Sequence, residues 1–303
     1  MNIPPVRHRR PAPRYRLVNT TRFIAVLLVF FLAITAIIIA GATANNNNNN
    51  NNDNVEEPSD ESSVVVTPVA TPTPEPTPAI EIPEGKTMEP VLVVVDAGHG
   101  GRDPGTISPY DDTFFEKDVV LDIAKRVEKY LKDKGINAML TRDGDYHFND
   151  SIDKDLLERA DIANRNNASL FVSIHVNAYD LKFKGAAAVN GMEVYYLNKD
   201  TVYTDFTDER YAEIVANKII EFTGIKFNGI KSRGLSVLRN THMPAILVET
   251  AYITNKEDHA RLKSNDFRDK TAKGIVDGIE LVLDEIGAFE HQGELYVFKE
   301  AGE

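Results

Sequence analysis

Three short, largely apolar runs constrain the fold of this chain more than any other feature of its sequence. They read VLVVV at residues 91–95, LFVSI at 170–174 and AILV at 245–248. Runs of this kind are typical of strands that are buried on both faces, as in parallel sheets. His99, His175 and Glu249 follow the three runs directly or within a few residues. The sequence therefore predicts a buried sheet with polar side chains at one edge.

Segments with helical periodicity alternate with these runs. Helices are predicted over 116–134, 155–168, 208–224 and 272–286, and further strands over 136–142 and 191–198. This alternation predicts an α/β fold, a three-layer α/β/α sandwich around a largely parallel mixed sheet. The last segment, GELYVFKEAGE, fits either an edge strand or a loose tail.

The N-terminal part of the chain has the composition of a membrane-targeting segment. Residues 23–40 hold a single polar residue, a threonine, and all six arginines of the first 52 residues precede this run. As a helix it would span roughly 27 Å, close to the thickness of a bilayer's hydrocarbon core. We predict a basic cytoplasmic segment at 1–22 and a single-pass transmembrane anchor at 23–44, with the body on the extracytoplasmic face. The alternative is a signal peptide cleaved after GATA at 41–44, which would release a secreted protein.

Low-complexity sequence follows this segment. Residues 45–52 are all asparagine, and a stretch rich in Pro, Thr and Glu continues toward residue 90. Neither composition can bury a hydrophobic core, so we predict a disordered linker over 45–90. Fully extended, it would reach on the order of 140 Å. The folded domain of the chain is predicted to occupy residues 91–303.

Composition narrows the possible chemistry and partners. The chain contains no cysteine, so a metal ion would have to bind to His, Asp or Glu side chains. The overall net charge is −12, and the six N-terminal arginines leave −18 on residues 53–303. An acidic body argues against a nucleic-acid partner. Monomer is the default expectation for the oligomeric state.

Four polar residues are predicted to meet at the carboxyl edge of the sheet, where α/β proteins bind ligands. They are His99, Glu116, His175 and Glu249. Two histidines and one carboxylate form a common catalytic zinc site with an open fourth position. A second carboxylate can then accept a proton from water and pass it to a leaving amine.

Each of these residues also has a plain structural interpretation. His99 fits a turn, His175 a hydrogen-bonded core histidine, and Glu116 an acid at a helix start. Glu249 could pair with Arg239. Asp96 is interpreted as an acid that supports a ligand histidine rather than as a ligand itself. The remaining histidines are predicted to lie at the surface, with His242 the first candidate for an exception.

Read together, the segments resemble the zinc-dependent N-acetylmuramoyl-L-alanine amidases of the amidase 3 family. The matching segments, in order, are VVVDAGHGGRDPGT, EKDVVLDIA, LTRDGD, ERADIAN, LFVSIHVNA, GMEVYYL, SVLRNTHMPAILVE and ITNKED. The resemblance covers residues 91–286 and implies that His99, Glu116 and His175 bind Zn²⁺ while Glu249 is the catalytic carboxylate. It also implies the substrate, the amide that joins the lactyl group of N-acetylmuramic acid to L-alanine in peptidoglycan.

Two departures from the family pattern concern the surroundings of the site. VETAYITN replaces the commoner VELGF(I/L)SN after the third strand, and the stretches 177–192 and 198–208 leave no room for a long regulatory helix. We therefore predict an open site that needs no activator. The alternatives are a non-catalytic peptidoglycan-binding module and a zinc peptidase acting on stem peptides. All four site residues are present, which favours the enzyme.

Overall fold

The computed structural model describes residues 80–301. The predicted anchor at 23–44 and most of the predicted linker lie outside this range. Within it, the helices are too short or too polar to cross a membrane.

A six-stranded mixed sheet forms the centre of the described fold, and its strand order is β3-β2-β4-β7-β5-β6. All neighbouring strands pair in parallel except β5 and β7, which are antiparallel. The prediction of a largely parallel mixed sheet is therefore confirmed. The strands are β2 (Val93–Ala97), β3 (Ala138–Leu140), β4 (Leu170–Asn177), β5 (Met192–Tyr196), β6 (Phe227–Ser232) and β7 (Ala245–Tyr252).

Helices cover both faces of this sheet, as predicted. The helices are α1 (Glu116–Asp133), α2 (Ile152–Arg165), α3 (Asp208–Thr223), α4 (Ser236–Arg239), α5 (Lys256–Lys263) and α6 (Asn265–Glu285). The larger hydrophobic cluster joins one face of the sheet to α1, α3, α5 and α6. The smaller cluster joins the other face to α2 and α4.

Alternation along β2 explains why its sequence is apolar throughout. Val93 and Val95 point into the larger cluster, while Val94 points into the smaller one. Each successive side chain of a strand changes face, so a sheet covered on both faces needs apolar residues at every position.

The smaller cluster leaves the carboxyl ends of the central strands to polar residues. On β4, Phe171 belongs to this cluster, and Ser173 and His175 follow it along the strand at the alternating positions. On β7, Ala245 and Leu247 precede Glu249 in the same way. The sheet therefore presents a polar edge on the face that carries α2 and α4.

A second, three-stranded sheet corrects one boundary of the sequence prediction. The segment Lys86–Pro90, predicted as linker, forms β1 and pairs antiparallel with β9 (Glu294–Glu300), which also pairs with β8 (Phe289–His291). The partner of β1 lies at the opposite end of the chain, so no local pattern in a proline-rich segment reveals it. The same pairing shows that the C-terminal segment forms a strand rather than a loose tail.

Candidate metal centre

His99 lies in the turn that follows β2. Its backbone has a φ of 62°, in the left-handed region that residues other than glycine rarely adopt. The His99 Nδ1 atom lies 2.7 Å from Asp103 Oδ2, and Nε2 lies 3.0 Å from Glu116 Oε1. A histidine held through Nδ1 presents Nε2 to a ligand, so Asp103 fixes the orientation of this ring.

Two buried arginines hold this turn in place through its carbonyl groups. Arg142 donates to the carbonyls of Ala97 and Gly98, both at 2.8 Å. Arg159 donates to the carbonyl of Ala97 at 2.7 Å and to that of His99 at 2.5 Å. These bonds satisfy backbone acceptors that the left-handed turn leaves unpaired, and so stabilise its uncommon conformation.

The interpretation of Asp96 as an acid that supports a ligand histidine is wrong, because its hydrogen bonds go to groups other than the histidines. Its carboxylate accepts hydrogen bonds from Thr141 at 2.6 Å, Ser173 at 2.7 Å and Arg159 at 2.9 Å. Burial opposes its charge, but the Arg159 guanidinium and the two hydroxyls hold the pKa of Asp96 below its usual value. The acid that supports His99 is Asp103, and Asp96 instead neutralises Arg159.

Glu116 begins α1 and lies between the two histidines. Its Oε2 accepts a hydrogen bond from the Thr106 amide at 2.8 Å, and Oε1 accepts one from the Val176 amide at 2.9 Å. The same Oε1 lies 3.3 Å from Nδ1 of His175. Burial opposes ionisation, yet the hydrogen bonds to His175 and His99 hold the pKa of Glu116 far below its usual range. The group is therefore a carboxylate near neutral pH.

His175 packs against Gly98 and the ring of His99. The two imidazole rings are 4.7 Å apart and nearly perpendicular. A Cβ atom at Gly98 would lie 2.3 Å from Cε1 of His175, so any other residue at this position would displace the His175 ring. Gly98 therefore allows the ring of His175 to pack closely against the turn that carries His99.

The three side chains could together hold a metal ion. One ligand atom from each of His99, Glu116 and His175 lies within 4.8 Å of the others. The structure thus brings together the three residues that the sequence predicts as ligands.

Glu249 lies beside this group, opposite His175 in the pairing of β7 with β4. Its Oε2 atom is buried and has no hydrogen-bond partner among residues 80–301. Burial raises the pKa of Glu249 to about 8, and the negative charge of Glu116 adds to this effect. The alternative pairing with Arg239 is not formed within residues 80–301, where Glu249 has no ion pair and the Arg239 guanidinium donates instead to the carbonyl of Gly234 at 2.8 Å.

Glu193 is a second acid at this edge that the sequence analysis missed. It is the register partner of Glu249 across β5 and β7. Its carboxylate accepts hydrogen bonds from the hydroxyls of Tyr195 at 2.6 Å and Tyr252 at 2.8 Å, and lies 2.6 Å from Lys231 Nζ. Glu193 is therefore fully partnered, which distinguishes it from Glu249.

The prediction that the other histidines lie at the surface is only partly correct. His259 is only 8% exposed, and its Nδ1 lies 3.0 Å from the Ser108 hydroxyl, so the prediction is wrong for this residue. His147 lines a cavity next to the metal centre. His242, the suggested exception, is exposed.

Comparison with known proteins defines the class to which this fold and site belong. The sequence profile of the amidase 3 family, described as N-acetylmuramoyl-L-alanine amidase, matches residues 93–281. The chain therefore belongs to the amidase 3 family.

Individual relatives agree with this assignment. The chain is 38% identical to the N-acetylmuramoyl-L-alanine amidase LytC of Bacillus subtilis over 61% of its own length, but it spans only 34% of LytC. It is 40% identical to the solved structure of the amidase AmiC2 of Nostoc punctiforme, with a TM-score of 0.55, covering 64% of this chain and 97% of that one. For an N-acetylmuramoyl-L-alanine amidase structure from Clostridium difficile 630 the identity is 33%, the TM-score 0.58 and the coverage 65% and 99%.

Proposed function

We propose that this protein is a zinc-dependent N-acetylmuramoyl-L-alanine amidase that hydrolyses the amide between N-acetylmuramic acid and L-alanine in peptidoglycan. The observation that carries the proposal is the convergence of His99, Glu116 and His175 beside Glu249, whose buried Oε2 has no hydrogen-bond partner among residues 80–301. Family membership supplies the bond that is cleaved.

The donor set fits zinc. Two imidazole nitrogens and one carboxylate oxygen are the ligands of many catalytic zinc sites, which keep one position open. Supporting groups are also in place, since Asp103 accepts from His99 and backbone amides hold both oxygens of Glu116. When bound here, Zn²⁺ would lower the pKa of water and polarise the substrate carbonyl.

Glu249 is proposed to move the proton of the reaction. Its buried Oε2 has no competing hydrogen bond from residues 80–301, and the charge of a bound Zn²⁺ would favour the ionised carboxylate, which can accept a proton from the attacking water. A raised pKa suits the return of that proton to the leaving nitrogen of L-alanine. His99, His175 and Glu116 would hold the metal, and Asp103 with Arg142 and Arg159 holds the His99 turn in position.

The location and domain order of the chain are also proposals. Relatives that act on the cell wall support an extracytoplasmic site of action. We propose that residues 23–44 either remain as a single-pass anchor or are removed as a signal segment, and that the linker and catalytic domain follow outside the membrane.

The catalytic domain is proposed to act as a monomer and without an activator. Between β4 and β5, the only regular element of the described chain is the three-residue 3₁₀ helix Ala186–Ala188.

Turbidity of a suspension of purified peptidoglycan tests the proposed chemistry. The full chain should clear the suspension with Zn²⁺ present, and an excess of chelator should stop clearing until Zn²⁺ is restored. Glu249→Gln should abolish clearing, while Glu213→Gln, at an exposed acid outside the site, should not change it. Clearing by Glu249→Gln at the wild-type rate would contradict the assigned role.

A further inference from the structure

A cavity of about 610 Å³ lies against the candidate metal centre. His99 and His175 form part of its wall, and the segments that follow β2 and β3 form much of the rest. Away from the histidines it is lined by Arg102, Asn149, Asp150 and Ile152, among others. The cavity is therefore continuous with the site of the proposed reaction and carries both charges and apolar surface.

The two halves of the proposed substrate make different demands on a binding surface. A glycan strand continues in both directions from each muramic acid, so it requires an open surface, and its sugars carry no charge once the lactyl group is in an amide. The stem peptide is a branch with its own end and several charged groups. A charged cavity beside the metal suits the peptide rather than the glycan.

Arg102 is the arginine of this cavity whose ion-pair partner a substrate carboxylate can replace. Its guanidinium pairs with Asp150, and the two side chains are 64% and 81% exposed. Exposed ion pairs contribute little to stability, so a substrate carboxylate can replace Asp150 at small cost. Arg159, the other arginine that lines the cavity, is buried and held by Asp96 and Asp155, both at 2.9 Å.

We propose that this cavity binds the stem peptide and that Arg102 recognises a free α-carboxylate on its second residue, releasing Asp150. The proposal rests on the proposed amidase function. The second stem residue is a glutamate joined through its side-chain carboxyl, which leaves the α-carboxyl either free or amidated. A guanidinium binds a carboxylate through charge-assisted hydrogen bonds, whereas an amide offers it only a neutral acceptor. The enzyme is thus selective for the unamidated stem.

Binding of two dipeptides that reproduce the N-terminal end of the stem tests this inference without requiring turnover. The γ-methylamides of L-alanyl-D-glutamate and L-alanyl-D-isoglutamine have no free γ-carboxylate, and they differ only at the α-carboxyl, which is a carboxylate in the first peptide and an amide in the second. Calorimetry on the zinc-loaded full chain should give a Kd about tenfold lower for the acid, the scale of one charge-assisted hydrogen bond.

Three variants separate the role of Arg102 from general effects. Arg102→Gln should weaken binding of the acid to the level of the amide and leave the amide unchanged. Asp150→Asn should tighten binding of the acid, because Arg102 loses its competing partner. Arg165→Gln is the matched control, since this exposed arginine pairs with Glu158 and does not line the cavity.

The possible results have distinct meanings. Equal Kd values, no binding of either peptide, or an unchanged preference in Arg102→Gln would overturn the proposal. The amidase function is measured separately, by release of stem peptides from peptidoglycan. A chain that releases stem peptides but fails the binding test keeps its function and loses this subsite, and a chain that binds the acid but releases nothing contradicts the amidase reaction.

Discussion

His175 on β4 and Glu249 on β7 are register partners in a parallel pair of strands. The pairing places a proposed zinc ligand and the proposed proton carrier side by side at the same edge of the sheet. Because successive residues of a strand alternate between its faces, register also decides that both side chains lie on the same face. A shift of one residue would separate them, so the buried apolar runs before them specify the site as well as the core.

Gly98→Ala should weaken zinc binding although it removes no ligand. The new Cβ would meet the ring of His175 at 2.3 Å and push this ligand away. Loss of a group that orients a ligand typically costs 10–100-fold in metal affinity, so we expect displacement of the ligand itself to cost at least about tenfold. Competition with a chromogenic chelator measures the affinity. Gly234→Ala is the control, because the nearest atom to its new Cβ is 3.9 Å away. Unchanged affinity in Gly98→Ala would contradict the packing described here.

Asp103→Asn tests the support of the ligand His99. The carboxylate fixes the ring by accepting a hydrogen bond from Nδ1 of His99. An amide would hold the imidazole less firmly and would leave it less basic. We expect zinc affinity to fall by about 10–100-fold with the fold intact. Asp112→Asn is the matched control at an exposed acid nearby. If both variants bind zinc as the wild type does, Asp103 has no role at the metal.

Asp96→Asn should destabilise the domain and change its response to acid. Removing one member of a buried ion pair leaves Arg159 partly uncompensated, which costs about 3 kcal/mol of unfolding free energy. The pKa of Asp96 is lower in the folded state than in the unfolded state, so its contribution is complete above about pH 4. It is lost as the pH falls through the folded pKa.

Urea unfolding of residues 76–303, a range that contains the whole described fold, measures this effect at pH 7 and pH 3. The difference between wild type and Asp96→Asn should be larger at pH 7 than at pH 3. A difference that grows with acid would have the wrong sign for a carboxylate with a lowered pKa.

Zinc should stabilise the folded protein through the three proposed ligands. A ligand at 100 times its Kd adds about 2.7 kcal/mol to the unfolding free energy. Thermal unfolding with and without Zn²⁺ should therefore show a clear increase in Tm for the wild type. His175→Ala should show none, and His242→Ala, at an exposed histidine, should respond like the wild type. An equal response of both variants would place zinc elsewhere.

The sequence predicts the central sheet and the residues of the site for a physical reason. Buried strands require apolar residues at every position, so polar residues such as His175 and Glu249 at their ends are conspicuous. Helical periodicity likewise locates α1 and the acid at its start.

The features that the sequence does not reveal depend on contacts between distant segments. The partner of β1 lies at the other end of the chain, and its pairing overrides a composition typical of a linker. Asp96 is adjacent to the His99 turn in sequence, but the packing of Arg159 against it decides its hydrogen bonds. Asp103 follows His99 by four residues, a spacing that becomes meaningful only once the left-handed turn brings the two side chains together.

Mass spectrometry of the fragments that the purified full chain releases from peptidoglycan tests the central claim most directly. With Zn²⁺ supplied and no other protein present, the proposed reaction predicts stem peptides with a free N-terminal L-alanine and glycan strands with free lactyl carboxylates. Shortened peptides that remain attached to muramic acid would show a zinc peptidase instead and contradict the proposed function.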